Sequence, residues 1–258
     1  MLPLKSWPVR GHGRQIDILR QAVKADKLAQ SYIFYGPHGV GKKQVLRCLL
    51  QELFCAQGGL DNCDVCRAIS SSHYQEILYI SSEVESSSIS IDSIRRGIDH
   101  LQISALHGAY RVLVVDQAEL LTIEAANSLL KVLEEPASNC YIFLLAEQLT
   151  SLPMTIRSRC QLLKFLPLST TEMTEWLQQE SIDQRLHQII QTVSLGRPGR
   201  AKELLADNLS AYNQLTERSL TLLAGNLSKA MSVLSSWFQE LKKSEENISA
   251  IKISWLQI

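Results

Sequence analysis

Residues 31–43, SYIFYGPHGVGKK, set the terms for the whole chain. Ser31 to Gly36 read as a short strand running into a glycine turn, and a helix is expected from Lys42 to Phe54. Strand, glycine-rich turn and helix are the context a phosphate-binding loop requires. Gly36, Gly39 and Gly41 would let backbone N–H groups approach a polyphosphate. The helix N-terminus favours negative charge, and Lys42 would neutralise the outer phosphates. The next position should supply a serine or threonine hydroxyl to Mg²⁺, but it is Lys43, whose ammonium cannot ligate a metal and repels it. Two readings stay open: a loop that keeps its shape with no nucleotide to hold, and weak nucleotide binding without hydrolysis.

Outward from this loop the chain alternates. Ile16, Leu19 and Val23 recur at helical spacing ahead of it. After it come a strand at Glu76 to Ile80, a polar stretch SSEVESSSIS (81–90) with the composition of an exposed loop, and a helix from Asp92 with Ile94, Ile98 and Leu101 on one face. RVLVVD (111–116) and YIFLLA (141–146) are nearly unbroken apolar runs, as in strands buried on both faces of a parallel sheet. Between them a helix covers about Ile123 to Leu133 and stops before Pro136. This alternation predicts an α/β fold, a parallel sheet with flanking helices. After FLPLS (165–169) no strand is expected, only short helices broken at Gly196, Pro198 and Gly199. The expected division is therefore an α/β domain over 1–167, a small all-α domain over 168–206 and a short helical segment over 207–258. Trp176, Leu177, Ile189, Ile190 and Val193 are the expected core of the second domain.

Composition narrows the function. The 258 residues carry 26 basic and 26 acidic side chains and are 45% hydrophobic, so the chain can bury a sizeable core. Zero net charge argues against a protein that grips phosphate backbone along its whole surface. No apolar run reaches the ~18 residues that cross a bilayer, and MLPLKSWPVRGHG lacks the apolar centre of a signal peptide, so a cytoplasmic protein with no membrane partner is expected.

Two further segments bear on chemistry. Asp116 ends a strand where metal-side acidic motifs lie, but Gln117 follows in the place of a catalytic glutamate, and an amide cannot act as a general base. Ala146-Glu147-Gln148, at the end of the next strand, offers no threonine or asparagine to sense a terminal phosphate. Cys55, Cys63 and Cys66 cluster within FCAQGGLDNCDVC (54–66), which suggests a metal site or its remnant rather than a disulfide framework. Structural zinc takes four ligands, so three thiolates leave a place for water or a substitute such as Asp61 or His73. The alternatives are free thiols held by packing, and redox chemistry at Cys63–Cys66, for which the strand-to-helix setting is lacking.

AANSLLKVLEEP (125–136) resembles the signature helix of the gamma/tau and delta-prime subunits of bacterial clamp loaders, and Ser158-Arg159-Cys160 matches their SRC motif. SISIDSIR (88–95), GAYRVLVVDQAELLT (108–122) and SLGRPGRAKELL (194–205) are similar to the same family in order and spacing. The resemblance, from about Gly11 to Leu205, implies a P-loop fold of the AAA+ kind with a small helical lid. It implies a role in DNA replication within the DNA polymerase III holoenzyme, with gamma/tau and delta subunits as partners and the sliding clamp and primed DNA reached through the complex.

The defects at Lys43, Gln117 and Ala146 match the delta-prime type, which typically does not hydrolyse ATP. Arg159 is then expected to act in trans, as an arginine finger at the ATP site of a gamma/tau neighbour, with Arg157 a weaker substitute. Arg200 stands where related ATPases place a second nucleotide-sensing arginine, or else opens a solvated helix. The resemblance also implies a four-cysteine zinc module, in which Leu60 replaces the second cysteine, giving a degenerate module over 55–73. Residues 207–258 are shorter than the family's helical collar, so a reduced or truncated collar is expected. An ATP-hydrolysing gamma/tau-type subunit and a zinc-dependent nucleic-acid-binding protein are the competing readings.

Overall fold

The computed structural model describes residues 7–82, 88–103, 110–137, 139–182 and 184–206. Residues 83–87 of the polar stretch and the 207–258 segment, read above as a loop and a reduced collar, lie outside the described residues. The chain divides into two compact units, Met1–Lys202 and Glu203–Ile258.

The first unit is built on five strands: β1 Ser31–Tyr35, β2 Ile77–Ile80, β3 Arg111–Val115, β4 Cys140–Ala146 and β5 Gln161–Lys164. They form one sheet in the order β2-β3-β4-β1-β5, with every pair parallel. Parallel strands need crossovers, and the helices supply them: α1 Gly13–Lys24 before the sheet, then α2 Lys42–Phe54, α3 Asp64–Ser70, α4 Ile91–Gln102, α5 Ile123–Glu134 and the short α6 Met154–Arg157. After β5 come only helices, α7 Thr170–Gln179, α8 Gln184–Ser194 and α9 Pro198–Ala206.

Side chains along each strand alternate between two apolar layers, as a period of two demands. Tyr32, Phe34, Val112, Val114, Tyr141, Phe143 and Leu145 join the layer under α1 and α2, with Val45 and Leu49. Ile33, Leu113, Val115, Ile142 and Leu144 join the opposite layer with Ile94, Leu129 and Ile156. Phe34 and Phe143 are fully buried and meet edge to face at 5.8 Å, so truncating either to alanine would cost about 3–5 kcal/mol. Cap residues fix the helix starts: Ser90 accepts from Ser93 N–H at α4, Thr122 from Ala125 N–H at α5, and Ser169 forms a reciprocal capping box with Glu172 at α7.

Three elements depart from the sequence reading. The β5 edge strand was not expected, because QLLK shows only Leu163 to the core and reads as ordinary polar chain. The cysteine segment contains α3, capped by the Cys63 thiol rather than by a hydroxyl or carboxylate. Pro198 and Gly199 begin α9 instead of breaking a helix, since proline is pre-organised for a first turn.

Strand order decides where a site can lie. The chain passes from β1 to the far edge strand β2, returns through β3 and β4, and then places β5 on the other side of β1. The crevice beyond the carboxyl end of β1 is therefore the topological switch point, where open α/β sheets bind ligands. The glycine loop occupies it.

Candidate functional site

Gly36, Gly39 and Gly41 all have positive φ, at 148°, 75° and 114°, and two of them permit close backbone approaches. A Cβ on Gly36 would lie 2.0 Å from the Phe165 carbonyl oxygen beyond β5, and one on Gly39 would lie 2.8 Å from the Arg200 amide nitrogen. At this second contact the first turn of α9 rests directly on the loop: Gly199 N–H donates to the Gly39 carbonyl at 2.7 Å. Arg200 is thereby brought to the loop from the helical segment. On the other side His12 Nε2 donates to the Val40 carbonyl at 2.9 Å, which fixes its tautomer, and burial lowers its pKa so that it stays neutral.

Lys42 lies at the start of α2, yet its ammonium is turned back on the loop, donating to the Gly36 carbonyl and to the Pro37 carbonyl at 3.0 Å. Burial lowers its pKa, against the opposing pull of Glu147, Glu119 and Asp116. Lys43 points the other way, and its Nζ lies 2.7 Å from Asp116 Oδ2. The ammonium therefore takes the carboxylate that a metal ion would need, at the position where the metal's hydroxyl ligand is also missing. Gln117 stands at φ 53° with its amide oxygen accepting from Ser82 Oγ at 3.1 Å. Glu119 accepts from the Glu147 amide, and its pKa is raised, chiefly by burial. Asp116, Glu119 and Glu147 thus lie around the two ammonium groups of Lys42 and Lys43.

Arg159 follows α6, outside this crevice. Its Nε donates to Glu134 Oε1 at 2.9 Å and its Nη2 lies 2.5 Å from the same oxygen. Nη1 donates to the Thr155 carbonyl at 2.9 Å and to Ser158 Oγ at 3.2 Å. The side chain is 34% exposed, whereas Arg157 has its Nε buried, so Arg159 is the arginine that the surface offers.

The three clustered cysteines come together. Cys55 ends α2, Cys63 caps α3 and Cys66 lies within it, and their sulfurs all fall within 4.8 Å of one another. Cys55 and Cys63 Sγ are 3.7 Å apart, close to the roughly 3.8 Å edge of a tetrahedron with Zn–S bonds of about 2.3 Å. The Cys55–Cys63 pair therefore matches one edge of a zinc site, and the Cys66 sulfur lies within 4.8 Å of both. Asp61 and His73 do not belong to the group, and Leu60 turns its side chain to the core.

Residues 11–169 match the family model described as DNA polymerase III, delta subunit. The chain belongs to this family. Among its relatives, the delta' subunit of DNA polymerase III from Bacillus subtilis is 28% identical over 216 residues, covering 80% of this chain and 65% of that one. The delta' subunit from Pseudomonas aeruginosa is 29% identical, covering 68% and 56%, and the tau subunit from Bacillus subtilis is 29% identical, covering 63% and 29%. The chain thus spans less than two thirds of the length of each. Structures of Thermotoga maritima RuvB, an AAA+ P-loop protein titled a Holliday junction branch migration motor, cover 79% of this chain at 17% identity with TM-scores of 0.50 and 0.51. That likeness shows the fold alone.

Within this delta-family chain the residues singled out from sequence fall into three places. Gly36, Gly39, Gly41, Lys42, Lys43, Asp116 and Arg200 gather at the switch point. Cys55, Cys63 and Cys66 meet at the end of α2, and Arg159 stands apart, just after α6 and bonded to Glu134 of α5. Sequence reasoning missed His12, Glu119, Glu147 and Glu134. Glu134 stood inside the quoted signature helix, but nothing in a linear chain joins it to an arginine 25 residues later.

Proposed function

We propose that this chain is a delta-prime-type subunit of the DNA polymerase III clamp loader, one that assists ATP hydrolysis without performing it. The observation that carries this reading is the Lys43–Asp116 ion pair at 2.7 Å, an internal cation standing where a catalytic metal belongs. Without that metal nothing bridges the outer phosphates, and with Gln117 nothing takes the proton of an attacking water. Arg159 supplies what the chain contributes to chemistry: a guanidinium offered in trans to the nucleotide of a gamma/tau neighbour, where it stabilises charge developing on the transferred phosphoryl group. Gamma/tau and delta subunits are the direct partners, the sliding clamp and primed DNA are reached through the assembly, and the setting is the cytoplasm. Zinc bound by Cys55, Cys63 and Cys66 would be structural, tying α3 to the end of α2, with its fourth ligand drawn from outside the thiol group.

The test is assembly and turnover together. The purified chain should join gamma/tau and delta subunits in one complex on a sizing column, and alone it should not hydrolyse Mg-ATP. Hydrolysis by the isolated chain that disappears in Lys42→Ala would refute the proposal.

A further inference from the structure

We infer that Glu134 is the positioning residue for Arg159, holding its guanidinium ready for the neighbouring nucleotide; this rests on the trans role of Arg159 proposed above. Arginine has five N–H donors. Three are committed in hydrogen bonds, Nε to Glu134 Oε1 at 2.9 Å and Nη1 to the Thr155 carbonyl at 2.9 Å and to Ser158 Oγ at 3.2 Å, while Nη2 lies 2.5 Å from the same Glu134 oxygen as an ion pair. The outer edge of Nη2 is left for an incoming oxyanion.

The two supports belong to different elements. Glu134 is the last residue of α5, and Thr155 and Ser158 belong to α6 and its end. Both elements are anchored in one apolar layer, by Leu133 and Ile156. The guanidinium is thus clamped between two rigid pieces while its side chain keeps 34% exposure. An unsupported surface arginine would sample many rotamers and lose that freedom only when the phosphoryl group arrives; here the loss precedes assembly. Release is cheap as well. Glu134 is 50% exposed, and an ion pair so well solvated is weak, so it does not keep the outer Nη2 edge from turning toward a phosphate oxygen.

The experiment uses the reconstituted loader with gamma/tau and delta subunits and reads kcat and KM for ATP. Glu134→Gln, which keeps the shape and removes the charge, is expected to lower kcat by about 3- to 5-fold with KM for ATP nearly unchanged. Glu134→Asp, which withdraws the charge by one methylene, should fall between. In an Arg159→Ala background Glu134→Gln should add nothing, because the glutamate acts only through the arginine. If Arg159→Ala itself leaves kcat unchanged, the trans role fails and this inference with it. If Arg159→Ala lowers kcat but Glu134→Gln does not, only the positioning role fails. Additive losses, or loss of assembly in Glu134→Gln, would overturn it too, by making Glu134 act independently of the arginine.

Discussion

Lys43 disables the metal position in two ways, by replacing the hydroxyl ligand and by engaging Asp116 at 2.7 Å. Lys43→Thr should therefore do more than delete a charge: it restores one ligand and frees another. Titration with a fluorescent ATP analogue should show a gain in affinity on adding Mg²⁺ of about 10-fold in the variant and none in the wild type. Equal titrations would show that the ion pair is not what keeps the metal out. His12 gives a second residue-scale expectation. Burial lowers its pKa from the ordinary 6.5, outweighing the Val40 carbonyl and Glu172. The unfolded chain therefore takes up this proton near pH 6.5 while the folded chain does not, so the stabilisation is complete above 6.5 and is lost as pH falls toward the lower folded value. Denaturant midpoints at pH 7.5 and 5.5 should fall further in the wild type than in His12→Gln. Equal falls would contradict the buried neutral imidazole.

At the scale of elements, the contact between α9 and the glycine loop is the most exacting. A Cβ on Gly199 would lie 2.7 Å from Gly39 Cα and 3.0 Å from its carbonyl oxygen. Gly199→Ala should therefore lower unfolding stability by about 1–3 kcal/mol, although alanine is the better helix former, because overpacking outweighs propensity here. A rise in stability would mean that the helix does not rest on the loop. The thiol cluster joins two more elements, the end of α2 and the start of α3. Elemental analysis should find about one zinc per chain, lost in Cys66→Ser. A metal-free protein with three reactive thiols would favour the packed-thiol reading.

The elements also show what a linear reading reaches. β1, β3 and β4 were legible because strands buried on both faces make unbroken apolar runs, and the glycine loop because its φ angles demand glycine. β5 was not, because an edge strand with one core-facing residue has little periodicity, and neither was the α9 contact, which is made by backbone atoms of residues far apart in sequence.

For the whole molecule, the parallel sheet puts the glycine loop at the switch point, while Arg159 stands on a different surface, clamped by α5 and α6. The motif that first announces a nucleotide site and the residue proposed to act on a nucleotide are thus separate. This is the arrangement expected of a subunit that completes a neighbour's site, as proposed for the delta-prime type. The Arg159→Ala chain, built into a loader with gamma/tau and delta subunits, bears most directly on this reading. Its assembly should be intact and its ATPase reduced by about 10³-fold or more, as for other arginine fingers. An assembled complex that hydrolyses ATP at the wild-type rate would contradict it.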